Sequence, residues 1–92
     1  MTPEARRIRA ADAQHLLDNK LFKEAFSSVE QYLIDKAHST DTNDRERTAN
    51  VVNCMQLLQA VKREIIRVVE DGEVAKIEIE QTEKRKLLRF IR

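Results

Sequence analysis

Two histidines, one cysteine and one glycine are the residues of this 92-residue chain from which specific chemistry would have to start. Asp12 and His15 are three positions apart, a spacing at which a carboxylate and an imidazole on one helix turn share a metal ion in di-metal bundles. Such a centre needs several such pairs on facing helices, and the sequence offers this one, so no metal and no cofactor is expected. His15 reads as a half-buried helix residue, and His38 as a loop residue near a helix C-terminus. Cys54 stands mid-helix in an apolar run with no base beside it. A thiol so placed stays protonated and inert, which suggests a structural role. A phosphate-cradling loop needs several glycines, and Gly72 is alone. The carboxylates are many but spread over polar faces, so an enzyme is not expected.

Charge is the more telling pattern. The chain carries 17 Lys and Arg against 16 Asp and Glu, a formal +1. Residues 1–10 hold Arg6, Arg7 and Arg9 against Glu4, a balance of +2, and residues 84–92 hold Lys84, Arg85, Lys86, Arg89 and Arg92 with no acid, a balance of +5. The stretch between them is therefore at −6. Two basic ends flank an acidic body. A basic helix end can be a solvated complement to the helix dipole, a set of phosphate contacts, or a partner's ligand. The interleaved Leu87, Leu88, Phe90 and Ile91 favour a contact, because a monomer seldom leaves such a cluster in water. With one Tyr and three Phe there is no stacking platform for single strands, and no helix–turn–recognition-helix pair is evident.

Size bears on the same point. A single domain of this length buries a modest share of its surface and is marginal as a monomer. A lone cysteine excludes an internal disulfide and suits a reducing compartment. Oligomerisation is the remaining supplement. No apolar run reaches the roughly 18 residues of a membrane span. The opening MTPEARRIRAADAQ has no apolar stretch behind its basic residues, so it does not read as a secretory signal.

The elements expected to position these residues are helices: one Gly, one Pro and abundant Glu, Lys, Arg, Leu and Ala leave little room for anything else. A first helix starts at Pro3 behind a Thr2 cap. Asn19 caps a second over 20–38, with Phe22, Phe26, Val29, Leu33 and Ala37 on one stripe. STDTND is a turn, and Asn43 with Glu46 fits a capping box, with Asp41 and Thr42 as rival caps. A third helix over 43–71 carries Val51, Met55, Leu58, Val61, Ile65 and Val68 as a packing or oligomer face, flanked by Val52, Cys54, Leu57, Ile66 and Val69, a face too wide for one partner helix that the two preceding helices or another subunit would cover. Gly72 suits the C′ position that would end it. A last helix follows, acidic then basic. The expectation is an all-α protein: an antiparallel helical hairpin, a short N-terminal helix packed against it, and a projecting C-terminal helix. The division is a 1–72 core and a 73–92 basic tail.

The run AADAQHLLDNKLFKEAFSSVEQYLIDKAH, followed by a polar turn and RERTANVVNCMQLLQAVKREIIRVVEDGEVA, resembles a family of short bacteriophage proteins. The matching positions are Ala13, Leu16, Leu17, Asn19, Leu21, Phe22, Glu24, Ala25 and Phe26, then Arg47, Leu57, Leu58 and Gly72, within about residues 10–75. The resemblance implies a protein of the DNA-packaging and head-assembly region of tailed phages, in the cytoplasm of an infected bacterium. A small terminase is the concrete candidate: short, helical, homo-oligomeric, binding double-stranded DNA and activating a large packaging subunit. The lack of a helix-turn-helix departs from many small terminases. A small adaptor or inhibitor that binds one host or phage protein through the apolar face of helix 43–71 is the alternative.

Overall fold

The computed structural model describes residues 1–91, and for Ile91 the backbone alone. The chain is all-helical: α1 spans Pro3–Asp18, α2 Lys20–Ser39 and α3 Arg45–Ile91, with no strand among the described residues. The first two starts are the expected ones. The Ala5 backbone N–H donates to Thr2 Oγ1 at 3.1 Å, and the Phe22 N–H donates to Asn19 Oδ1 at 2.9 Å. Each satisfies one of the orphan amides of a first helical turn. At the end of α2, the Thr40 hydroxyl and N–H both donate to the Lys36 carbonyl, at 2.6 and 3.0 Å.

The start of α3 differs from expectation. Asp44 is the cap: its carboxylate accepts the Arg47 N–H at 3.1 Å. Asn43 is held one position too early, because its own N–H donates to Asp41 Oδ1 at 2.8 Å in a tight turn. A carboxylate at the cap also complements the positive helix end, which an amide does not.

The larger departure is at Gly72. It does not stop the helix: α3 runs through it for 47 residues, and no glycine has positive φ. The expected C-terminal helix is the second half of α3. A glycine inside a helix costs about 1 kcal/mol, too little to end one supported on both sides. Its missing side chain serves the approach of α1. A Cβ built at residue 72 would overlap Ala10 Cβ and lie 3.6 Å from Ala10 Cα and 3.8 Å from the Arg6 carbonyl oxygen.

Contacts divide the chain into two compact units. Leu17–Glu64 is one of them, with α2 against the first part of α3. Lys62 Nζ sits 5.4 Å over the Phe26 ring, Gln59 Nε2 donates to Glu30 at 3.5 Å, and Leu33 shares a groove with Met55 and Leu58. Ascending positions on α2 meet descending positions on α3, which is an antiparallel hairpin. The other unit joins residues 1–16 to α3 from Ile65 onward. Here α1 lies against residues 69–78, beyond the end expected for the hairpin. Small residues allow it: Ala10, Gly72 and Ala75 are buried where the two backbones come close. Among the described residues Leu33 is the one buried side chain larger than a methyl group, and no large side chain is fully enclosed.

Replacing Gly72 with Ala should therefore invert the usual sign. In an ordinary helix interior Gly→Ala stabilises by about 1 kcal/mol. Here Gly72→Ala is expected to destabilise by about 1–3 kcal/mol through overpacking, read by denaturant unfolding and by faster amide exchange along α1. The cap assignment gives a second expectation. Asp44→Ala should cost about 1 kcal/mol, and Asn43→Ala less than about 0.5 kcal/mol, in the same unfolding measurement.

Candidate functional site

The residues with catalytic potential are not assembled. Asp12, His15 and His38 are exposed, and among the described residues no group of three or more His, Cys, Asp or Glu could hold a metal. His15 is thus not the half-buried residue expected, and His38 lies in the last turn of α2 and not in a loop. Cys54 is exposed too. The helical period explains this. Val51, Met55 and Leu58 turn toward α2 and are half-buried, which swings Cys54 to the flank, into a groove with Tyr32 and Lys36.

The two basic ends differ in kind. At the N-terminal end, Arg6 is committed internally. Its Nε and Nη2 donate to the two oxygens of Asp71 at 3.0 and 2.8 Å, and Nη1 donates to Glu78 at 2.7 Å. The fork-on-fork geometry with Asp71 is the strong form of this pairing. The Arg6 side chain is only 19% exposed, against 48% for Asp71, so the arginine is the packed member of the pair. The hydrogen bonds to Asp71, and then the one to Glu78, raise the Arg6 pKa above its ordinary value. The same bonds from Arg6 hold the Asp71 carboxyl below the usual range, with Arg67 and Arg9 adding to it through space. Arg7 pairs with Glu4 and lowers the Glu4 pKa, chiefly by hydrogen bonding.

At the C-terminal end, Lys84, Arg85, Lys86 and Arg89 all stand exposed on the last turns of α3, and among the described residues none forms a salt bridge. Arg92, the fifth of the set, lies outside the described residues. Leu87, Leu88 and Phe90 are 61%, 63% and 89% exposed, so these three apolar side chains meet no cover. At about 100° per residue, Lys84, Leu87 and Leu88 fall on one side of α3, and Arg85, Lys86 and Arg89 on another.

The apolar stripe of α3 is mostly used within the chain. Val51, Met55 and Leu58 are half-buried in the hairpin unit, Ile65 and Val68 are half-buried in the other, and Val61 is 54% exposed. In the hairpin unit the uncovered apolar residues are Val52, Leu57 and Val61 on α3, with Leu21, Val29 and Tyr32 on α2. The Arg6 clasp is invisible in the sequence. Its partners are 65 and 72 positions away, and nothing local distinguishes Asp71 and Glu78 from the other carboxylates.

Comparison with protein-family models, with curated proteins and with solved structures gave no match. No helix among the described residues is long and apolar enough to cross a membrane.

The clasp carries a pH dependence whose sign is set by Asp71. A carboxyl with a lowered pKa in the folded state adds stability above its unfolded pKa, about 4, and that stability is lost as pH falls through the folded value. Protection of the α1 amides is expected to fall below about pH 4, while Asp71→Asn lowers protection at neutral pH and removes this step. Exchange protection factors along residues 5–16, measured at neutral and acid pH, check it.

Proposed function

We propose that this chain is a non-enzymatic, homo-oligomeric assembly protein of the small-terminase kind. The basic end of α3 projects from its unit and holds double-stranded DNA or the large packaging subunit. The observation that carries the reading is the state of Lys84, Arg85, Lys86 and Arg89, four exposed cations with no salt bridge among the described residues. Cations on successive turns of a rigid helix suit a regular line of phosphates, and they draw affinity from counterion release without reading bases. Two further features support assembly. Among the described residues almost no large apolar side chain is enclosed, and each unit leaves apolar residues uncovered. The resemblance of residues 10–75 to short phage proteins of the packaging and head-assembly region points the same way, and would place the protein in the infected bacterial cytoplasm.

Arg6 is engaged by Asp71 and Glu78, and Arg7 by Glu4, so the N-terminal contribution to the proposed contact falls to Arg9. The adaptor reading keeps one specific support, the uncovered Val52, Leu57 and Val61 beside Leu21, Val29 and Tyr32. In that case Leu57→Glu abolishes function in vivo while DNA binding is untouched.

The test is DNA affinity against salt concentration. Replacing Lys84, Arg85, Lys86 and Arg89 together with Ala should weaken binding to duplex DNA of any sequence. It should also flatten the log–log salt slope by about 0.9 for each phosphate no longer neutralised. An unchanged affinity and slope would sink the polyanion reading.

A further inference from the structure

Within residues 1–16 the shielded positions of α1 are Pro3, Arg6, Ala10 and Ala13, at steps of three, four and three. On α3 in the same unit, Ile65, Val68, Gly72, Ala75 and Ile79 are shielded at steps of three and four, the period of a packing seam, with Val69 beside them. The two sides are unequal. α3 offers large apolar side chains, and α1 answers with a proline, two alanines and an arginine. Gly72 and Ala75 are closed over, while Ile65, Val68 and Ile79 are only half-buried. The large apolar residues of α1 in this unit, Ile8 and Leu16, are 51% and 42% exposed. Apolar area therefore holds α1 weakly. The stronger tie is Arg6, and its partners Asp71 and Glu78 are 48% and 44% exposed, where water competes for them. In the hairpin unit, by contrast, large side chains make the contact: Leu33 shares a groove with Met55 and Leu58, and Lys62 covers the Phe26 ring.

We infer that α1 is a strap that opens on its own: it lifts from α3 while the hairpin unit stays folded, and in lifting it uncovers Ile65, Val68 and Ile79. A segment with few buried apolar contacts and water-accessible polar ties sits at the low end of local stability. α1 fits that description, and the hairpin unit fits it less. The covalent geometry permits the motion. One non-helical residue, Asn19, stands between α1 and α2, so a change in its two backbone dihedrals re-aims α1 without unwinding either helix. Arg6 is the catch. Its bonds to Asp71 and Glu78 span two turns of α3, and all three break when the guanidinium leaves. Closed, the strap shields an apolar stripe of α3. Open, it presents that stripe, and the change needs no residue of the basic end.

Amide exchange on the full chain in rising, sub-denaturing urea tests this. The amides of residues 7–16 should be protected on the order of tenfold less than those of residues 24–36 in α2. Their exchange should also respond weakly to urea, because lifting a strap exposes less surface than global unfolding. Arg6→Gln should lower the protection of residues 7–16 by a further factor on the order of ten, and leave α2 and residues 50–60 of α3 unchanged. Uncovering is read separately, by thiol labelling of a Val68→Cys protein in a Cys54→Ser background. Labelling should be slow with Arg6 in place and about tenfold faster with Arg6→Gln. Equal protection and equal urea response of the α1 and α2 amides in the wild-type protein overturns the inference, whatever the variants do. So does an Arg6→Gln protein whose protection falls alike in both units, or a labelling rate at residue 68 that does not depend on Arg6.

Discussion

The close approach of α1 to α3 at Gly72 is the constraint on which the N-terminal unit depends. Two helix backbones come near enough that a methyl group at residue 72 would overlap Ala10. At that distance the contact buries Ala10 and Ala75, and it brings the Arg6 guanidinium within reach of Asp71 and Glu78. Small side chains give little hydrophobic stabilisation by themselves, because burial scales with apolar area. The three charge-assisted hydrogen bonds of Arg6 add direction to a contact that methyl groups alone would leave free to slide. Packing sets the separation of the helices, and the clasp sets the register.

The hairpin unit rests on larger side chains but is hardly better enclosed. Phe22 and Phe26 stand 6.0 Å apart along α2, and the ammonium of Lys62 covers the Phe26 ring. Leu33 is its one buried residue. A helix pair has a single contact line, and the residues beside that line stay in water unless a third element covers them. That geometry explains why Leu57 and Tyr32 are exposed while Met55 and Leu58 are shielded. Both units thus have the economy of parts that gain stability by association, which small helical chains without disulfides commonly need.

Much of this was legible in the residues. The all-helical class, the starts at Pro3 and Lys20 and the turn before α3 follow from local chemistry: a capping oxygen, a missing breaker, a cluster of Asp, Asn and Thr. The half-burial of Val51, Met55, Leu58, Ile65 and Val68 follows from a period that any amphipathic helix obeys. The basic end was visible as composition, and its exposure is what a cation-rich helix terminus prefers.

Other features were decided only by tertiary contact. Gly72 has two meanings that look the same in sequence, a helix stop and a site of close approach, and only the position of Ala10 separates them. Arg6 looked like a free cation because its partners are more than sixty residues away, and a charge's availability depends on what folding brings beside it. Cys54 and Leu57 flank a face too wide for one partner helix, and only the packing of α2 decided that this flank stays exposed. The sequence by itself determined which segments are helical and where the charge lies, since both are set by neighbours along the chain. The tertiary structure decided which small residues touch, which cations are spent internally and which apolar residues remain for a partner, since those depend on groups that meet only when distant segments pack.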